Sequence, residues 1–101
     1  VTGGAGFVGS HLSERLLDEG YRVVCLDNLI TSSFGNVAHL APSPDFEYAE
    51  GDATEPIRVG GSLDEVYHFA SPASPKDFGR IPIQILEVGS LGTQNALELA
   101  K

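Results

Sequence analysis

Short runs of apolar residues alternate along the chain with longer stretches in which apolar positions recur every three to four residues. Short apolar runs predict strands buried in a sheet, and the three-to-four spacing predicts helices that pack one face on it. Strands that alternate with helices are typical of βαβ units and a parallel sheet. Strands are predicted at residues 1–2, 22–27, 46–50 and 65–70, and helices at residues 7–19 and 83–101.

The first predicted helix has Val8, Leu12 and Leu16 at four-residue intervals, so one face can pack on the sheet. The second contains Gly89 and Gly92, each of which weakens a helix by about 1 kcal/mol relative to alanine. Residues 31–45 predict a loop with one short helix at residues 36–40. The pattern as a whole predicts an α/β protein with a Rossmann-like, doubly wound parallel sheet.

The two ends of the chain predict that this sheet is incomplete. Val1 and Thr2 form only the stump of a strand before a glycine cluster, without an initiator methionine. At the other end, Ala100 and Lys101 lie in a helix-favouring run without a stop signal. We therefore expect residues 1–101 to be one partial domain, the N-terminal part of a longer protein.

The charge of the chain narrows the classes of partner. Six Lys and Arg residues against fourteen Asp and Glu residues give a net charge of −8. This balance argues against nucleic-acid binding, which relies on clustered basic residues, and against docking on an anionic membrane. No apolar run is long enough for a transmembrane helix. The single cysteine, Cys25, has no partner for an internal disulfide; it suits a buried strand as a small hydrophobe and fits a reducing, cytoplasmic compartment.

A glycine-rich loop, Thr2-Gly-Gly-Ala-Gly-Phe-Val-Gly9, leads from the first predicted strand into the first helix. Its spacing contains both G-x-G-x-x-G and G-x-x-G-x-x-G. In dinucleotide-binding proteins such glycines allow a tight turn, close approach of the pyrophosphate and close packing of helix and strand. The pyrophosphate then lies at the helix N terminus, where backbone N–H groups are free. Alone, a glycine string also describes an ordinary flexible loop.

An acidic residue at the end of the next strand strengthens the dinucleotide interpretation. Asp27 lies eighteen residues after Gly9. A carboxylate about 20 residues beyond the loop reaches the ribose 2′-hydroxyl of NAD and repels the 2′-phosphate of NADP. Because no basic residue follows Asp27 before Arg58, the pattern favours NAD. The alternative for Asp27 is a solvated carboxylate at a strand end, or a loop cap.

These segments resemble the extended short-chain dehydrogenase/reductases of the nucleotide-sugar epimerase/dehydratase family. The run at residues 67–75 is most similar to the UDP-glucuronate decarboxylases, which make UDP-xylose. The resemblance covers the whole chain but only about the first third of such an enzyme. It rests on Thr2-Gly-Gly-Ala-Gly-Phe-Val-Gly-Ser-His-Leu12, Leu26-Asp-Asn-Leu29 with Thr31 and Asn36, Gly51-Asp-Ala-Thr-Glu-Pro56, and Tyr67-His-Phe-Ala-Ser-Pro-Ala-Ser-Pro75.

The resemblance implies an NAD cradle and a nucleotide-sugar substrate. The loop and helix N terminus would hold the pyrophosphate, the end of the second strand the adenosine ribose, and residues 52–53 the adenine. Residues 69 and 71 would pass the ribose–nicotinamide side, and Ile57 and Arg58 would contact the substrate. Asp52 has an alternative as an ordinary turn former. The implied cofactor-binding residues are Gly3, Gly6, Phe7, Val8, Gly9, Asp27, Asn28, Thr31, Ser32, Asp52, Ala53, Phe69 and Ser71.

The catalytic Tyr-x-x-x-Lys pair of the family is not found in these residues, because none of Tyr21, Tyr48 and Tyr67 has a lysine four positions later. No catalytic residue is therefore predicted here, and enzymatic activity is expected only of the longer protein, as a homodimer. No metal site is predicted, because no Cys/His cluster has the spacing of a zinc site. The leading hypothesis is NAD-dependent decarboxylation of UDP-glucuronate. The alternatives are a nucleotide-sugar 4-epimerase or 4,6-dehydratase, and a non-catalytic dinucleotide sensor.

One departure from the family concerns the substrate. Glu87 lies where many relatives carry a lysine. A glutamate there would repel a carboxylate or phosphate that the lysine would attract. Either the contact with the substrate differs at this position, or the residues of this helix align with those of the relatives at a different offset.

Overall fold

The computed structural model describes residues 1–101 as a small parallel sheet with helices and loops packed around it. Strands β1 (Val23–Asp27) and β2 (Phe46–Glu50) pair in parallel, with Val23 opposite Phe46. The α-helices are α1 (Phe7–Asp18), α2 (Pro82–Glu87) and α3 (Thr93–Leu99), and a π-helical turn, Val88–Gly92, joins the last two. Short 3₁₀ turns lie at Phe34–Asn36, Ala38–Leu40 and Pro75–Asp77.

Thr2 extends the sheet sideways through two isolated parallel bridges, one to Leu26 of β1 and one to His68. The N–H of Gly3 donates to the Leu26 carbonyl at 2.8 Å, and the N–H of Thr2 donates to the Tyr67 carbonyl at 2.9 Å. The order across the sheet is therefore β2, β1, the Thr2 segment and the His68 segment. The chain enters its glycine loop from the middle of this arrangement.

The predicted strand at residues 65–70 is wrong, because only His68 forms a bridge there. In the segment beside it, residues 1–3, Thr2 is the one residue that forms a bridge to His68. Directly afterwards Gly3 adopts a φ of 67°, which turns the chain out of the extended conformation. A ladder cannot continue beside a segment that turns away after one residue.

Helix α1 packs on the core with only part of the predicted face. Leu16 is buried and Leu12 is partly buried against the core, as predicted, whereas Val8 is 57% exposed. The prediction that Val8 packs on the sheet is therefore wrong. In the first turn the helix instead lies on the glycine loop at Gly9, where a Cβ would lie 2.8 Å from the Gly4 Cα.

The core joins α1, the sheet and the loop that contains the first two 3₁₀ turns. Cys25 is fully buried, as predicted, and burial raises the pKa of its thiol to about 11. The predicted short helix at residues 36–40 is instead a pair of 3₁₀ turns, which overlaps it only in part. None of the helices has the length and apolar character needed to cross a membrane. The buried core residues are Ala5, Leu16, Val23, Cys25, Val37, Leu40 and Phe46.

The closing helix is widened where the sequence places its two glycines. Gly89 and Gly92 both lie in the π-helical turn, and the helix predicted for residues 83–101 is confirmed as one continuous helical run over residues 82–99, made of α2, the turn and α3. Side chains satisfy backbone groups of the widened turn: the Thr93 hydroxyl donates to the Gly89 carbonyl at 3.0 Å, and the Ser90 hydroxyl donates to the Leu86 carbonyl at 2.8 Å. Weak helix formers and local hydroxyl groups therefore coincide at this π-helical turn.

Candidate functional site

A shallow cleft, open to solvent, lies at the carboxyl ends of β1 and β2 beside the glycine loop. Ligands of open parallel α/β sheets bind in crevices at this end of the strands. Phe7, Val8 and Gly9 form the first turn of α1 and do not line the cleft. The other ten of the thirteen predicted cofactor-binding residues do line it: Gly3, Gly6, Asp27, Asn28, Thr31, Ser32, Asp52, Ala53, Phe69 and Ser71.

The cleft has two sides, which differ in origin. The loop wall comes from the glycine loop and the end of β1, and the far wall comes from the segments after β2 and His68 together with the π-helical turn. The loop wall consists of Gly3, Gly6, Leu26, Asp27, Asn28, Ile30, Thr31 and Ser32. The far wall consists of Gly51, Asp52, Ala53, Phe69, Ala70, Ser71, Pro72 and Val88.

Gly3 is the point at which the two walls meet. A Cβ on this residue would lie 2.7 Å from the Ala70 nitrogen and from the carbonyl group of Phe69, and its φ of 67° is unfavourable for residues with a side chain. A glycine is therefore required here by both space and conformation. The glycine spacing read from the sequence has a direct steric cause at this position.

The N terminus of α1 presents free hydrogen-bond donors. Gly6 is the N-cap and, having no side chain, provides no side-chain cap. The backbone N–H groups of Phe7, Val8 and Gly9 have no hydrogen-bond partner in the chain. Free N–H groups at the positive end of a helix dipole bind anions such as phosphate. This end of the cleft is therefore suited to a pyrophosphate.

Asp27 is held firmly at the end of β1 and is only 8% exposed. Its Oδ2 accepts from the Ala5 N–H at 2.9 Å, and its Oδ1 accepts from the Leu29 N–H at 2.9 Å and the Ser32 hydroxyl at 2.7 Å. Leu29 has a φ of 59°, and it is the one non-glycine residue with a positive φ. The carboxylate is thus a loop cap, as the alternative interpretation held. A carboxylate offers about four acceptor positions, so three donors leave one for a ligand in the cleft.

Asp52 connects the two walls across the cleft. Its Oδ1 accepts from the N–H and the hydroxyl of Thr54, and its Oδ2 accepts from the Asn28 amide at 3.2 Å. These hydrogen bonds, with the Thr54 N–H the strongest, lower the pKa of the Asp52 carboxyl below its ordinary value. The residue is therefore a turn former, as the alternative held, and at the same time lines the cleft.

A hydroxyl next to the glycine loop supports the far wall. The Thr2 Oγ1 lies 2.7 Å from His68 Nδ1 and accepts from the Ala70 N–H at 3.3 Å. The Thr2 hydroxyl donates its proton to Nδ1 when the His68 ring is neutral with its own proton on Nε2. Burial lowers the pKa of His68, which favours the neutral ring that such a bond requires. His68 is thus a packed, hydrogen-bonded histidine, which agrees with the preferred interpretation of the sequence.

Sequence reasoning missed a second support of the far wall. Asn95 of α3 donates from its Nδ2 to the carbonyls of Ala53 and Glu55, at 2.9 and 3.0 Å. An asparagine in a helical stretch carries no signal of such a contact, since its partners are 42 and 40 residues away. The amphipathic pattern of α3 does not identify it either.

The two predicted substrate-binding residues do not join the cleft. Ile57 lines a second, mostly apolar cavity, together with Val1, Val23 and Leu99. Arg58 and Glu87 are both exposed and are not part of the cleft. The structure therefore brings the predicted cofactor residues together but leaves the predicted substrate contacts apart from them.

Proteins similar to this chain are named as nucleotide-sugar enzymes. It is 44% identical to UDP-glucuronic acid decarboxylase 1 of Danio rerio and 45% identical to UDP-glucuronic acid decarboxylase 4 of Arabidopsis thaliana, in both cases over the whole chain. These matches cover 24% and 22% of the relatives, so the chain spans about a quarter of their length.

Solved structures show the same architecture. A UDP-galactose 4-epimerase matches 98% of this chain and 32% of its own, with a TM-score of 0.81 and 35% identity. The UDP-glucose 4-epimerase of Thermus thermophilus, in complex with NAD, matches 97% of this chain and 32% of its own, with a TM-score of 0.73 and 34% identity. The predicted Rossmann-like α/β class is therefore confirmed. Since the family model described as GDP-mannose 4,6 dehydratase matches residues 1–101, the chain belongs to this family of nucleotide-sugar epimerases and dehydratases.

Proposed function

We propose that this chain binds NAD in the cleft and provides the cofactor-binding part of an NAD-dependent UDP-glucuronate decarboxylase. The observation that carries the proposal is the loop wall, where Gly6, the N-cap of α1, and the fixed carboxylate of Asp27 line one cleft, with the unpaired N–H groups of α1 directly after Gly6. A dinucleotide requires both features, since its pyrophosphate is an anion and its ribose hydroxyls are donors. Gly6 lines the cleft without a side chain, and a Cβ there would already lie 3.2 Å from the Gly3 carbonyl oxygen, so its backbone stays accessible to a pyrophosphate.

Different residues at the cleft bind different parts of the NAD molecule. The N–H groups of Phe7 and Val8 donate to the pyrophosphate, and Asp27 accepts from a ribose hydroxyl with its remaining acceptor position. Asp52 and Ala53 flank the adenine, while Phe69 and Ser71 lie toward the nicotinamide side. When bound, NAD supplies reversible hydride acceptance for the oxidation of the C4 hydroxyl of the sugar.

The choice of decarboxylation over the alternatives rests on the names of the relatives. UDP-glucuronic acid decarboxylases of a fish and a plant match the chain along its whole length at 44 and 45% identity. The second candidate is a 4-epimerase, which the structural likeness to UDP-galactose 4-epimerase favours. Homodimerisation and a cytoplasmic location remain predictions for the longer protein.

The cofactor proposal is tested by titrating the chain with NAD and NADP in a calorimeter. We expect NAD to bind more tightly, because Asp27 repels a 2′-phosphate. In D27N, we expect NAD affinity to fall roughly tenfold and the preference over NADP to shrink, since a charged acceptor is lost. The charge-matched control is D18N, at an exposed position at the end of α1, which leaves both affinities unchanged. Equal affinity of the native chain for NAD and NADP contradicts the proposal.

The reaction is tested with a protein of the relatives' full length, of which we propose that this chain is the N-terminal part. It is incubated with UDP-glucuronate and a catalytic amount of NAD, and the products are identified by mass spectrometry. Loss of the mass of CO₂ without net accumulation of NADH is the expected result. Unchanged UDP-glucuronate, with UDP-glucose converted to an isomer, establishes the epimerase instead. If neither is converted while NAD binds, the chain belongs to a dinucleotide sensor.

A further inference from the structure

Asn95 makes an unusual pair of contacts for a residue in the middle of a helix. Its Nδ2 donates to two main-chain carbonyl oxygens of one turn, Ala53 at 2.9 Å and Glu55 at 3.0 Å. An amide nitrogen carries two protons, so both donors are used by this turn. The side chain is half-buried, and the contacts join α3 to a segment about forty residues earlier.

The turn at residues 52–55 has few other connections to the rest of the fold. The hydrogen bonds between Asp52 and Thr54, and between Asp52 and Glu55, lie within the turn itself. Beyond the turn, its hydrogen bonds go only to the Asn28 side chain, at 3.2 Å, and to Asn95. Asn95 therefore makes two of the three hydrogen bonds that fix the position of the turn.

Packing places the same turn against the helix. Ala53 is 5% exposed, and a Cβ built on Gly92 would lie 3.6 Å from the Ala53 Cβ, an ordinary van der Waals distance. Gly92 and Asn95 lie three positions apart and so share one helix face. The apolar contact brings the helix close to Ala53, but it does not fix the direction of the Ala53 and Glu55 carbonyl groups. That direction is fixed by the hydrogen bonds from the Asn95 amide.

We propose that Asn95 is a positioning residue that orients the Ala53 and Glu55 carbonyls toward α3 and so shapes the adenine side of the cofactor cleft. The inference rests on the proposed function, because it takes the cleft to hold NAD. Its consequence is local: the loss of Asn95 affects the adenine half of the ligand and leaves the pyrophosphate and nicotinamide half unaffected. If Asn95 contributed only to the general stability of the fold, its loss would change the binding of both parts of NAD alike, or of neither.

The test compares ADP-ribose, which carries the adenosine end of NAD with its pyrophosphate, with nicotinamide mononucleotide, which lacks the adenine. N95D removes both donors and places a carboxylate against two carbonyl oxygens without changing the size of the side chain. The matched control is Q94E, which makes the same change of charge on the exposed neighbouring residue. We expect ADP-ribose affinity to fall roughly tenfold in N95D, with nicotinamide mononucleotide affinity unchanged and Q94E like the native chain.

Two outcomes overturn the proposal. If ADP-ribose affinity in N95D stays within twofold of the native value, Asn95 does not shape the adenine side. If the affinities for both ligands fall together, the effect is on the whole fold. Should N95D fail to fold, N95A removes the donors without adding a charge, and Q94A becomes its control.

A ligand-independent measurement separates this inference from the proposed function. The carbonyl ¹³C chemical shifts of Ala53 and Glu55 report the hydrogen bonds from Asn95 directly. If the native chain binds neither ligand, the proposed function fails. In that case, unchanged carbonyl shifts in N95D overturn the positioning role as well, whereas shifts confined to these two carbonyls support it.

Discussion

The loop wall of the cleft is held by backbone that packs on backbone and by the Asp27 carboxylate, which caps the Ala5 and Leu29 N–H groups. The far wall is held by single side chains that reach across 40 to 68 residues. Gly3 contacts the main chain at residues 69–70, and Gly9 contacts the main chain of Gly3, at distances that leave no room for a Cβ. In the far wall, the Thr2 hydroxyl and the Asn95 amide carry the connections. Different substitutions therefore destabilise the two walls. An added methyl group destabilises the loop wall, and the loss of a hydrogen-bond donor or acceptor destabilises the far wall.

The largest effect is expected directly beside the loop wall, from Gly9→Ala in the first turn of α1. The added Cβ would overlap the Gly3 carbonyl oxygen and lie 2.8 Å from the Gly4 Cα, with no flexible side chain to move aside. Overpacking of this kind in a rigid site costs about 3 kcal/mol of unfolding free energy. The measurement is urea-induced unfolding followed by circular dichroism.

Gly89→Ala is the matched control, because it makes the same change where no atom lies within 4 Å of the added Cβ. Alanine is the better helix former, so this variant is expected to gain about 1 kcal/mol. If both variants lose the same amount of stability, close backbone approach is not what distinguishes the loop wall.

A smaller loss is expected in the far wall from Thr2→Val. Valine keeps the shape of this buried side chain but leaves the Ala70 N–H and the His68 Nδ1 without their partner. A buried polar group without a partner costs about 1–3 kcal/mol, and we expect a loss near the lower end because the contacts are only part-buried. Thr31→Val is the control, since Thr31 is exposed and makes no side-chain hydrogen bond; it stays within about 0.5 kcal/mol. Equal unfolding midpoints for the two variants would mean that the Thr2 hydroxyl does not support the far wall.

The difference between the two walls also explains which features could be predicted from the sequence. The glycine spacing and Asp27 were recognisable because a missing side chain and an acidic strand end are visible in the residues themselves, and ten predicted residues do line one cleft. Strand β2 was predicted at its observed bounds, since a short apolar run ending at Gly51-Asp52 depends on local pattern alone. The strand expected at residues 65–70 depended on a neighbour that turns away at Gly3, which no local pattern reveals. Asn95 was missed for the same reason: its partners are distant in the chain.

The smallest effect concerns the hydrogen bonds that lower the pKa of Asp52. Thr54→Val removes the hydroxyl donor while keeping the stronger backbone N–H, so the pKa of Asp52 rises toward its ordinary value of 3.8. The sign for stability follows from the lowered pKa: the Asp52 carboxylate stabilises the fold above pH 3.8, and this contribution is lost as the pH falls through the lower folded value. In Thr54→Val the loss is smaller and is complete at a higher pH, because the folded pKa lies closer to 3.8. The pKa is read from the side-chain carboxyl ¹³C shift during an NMR titration.

Asn28→Ala provides the comparison across the cleft, because Asn28 is the loop-wall donor to the same carboxylate. The Asn28 bond is longer, at 3.2 Å against 2.8 Å for the Thr54 hydroxyl, and it lowers the pKa of Asp52 less. We therefore expect a smaller rise of the pKa in Asn28→Ala than in Thr54→Val. That order means that the turn at residues 52–55 is bound more tightly within itself than to the loop wall, so its position depends on Asn95. The reverse order would place the main anchor of the turn on the loop wall, and the two walls would then act as one unit.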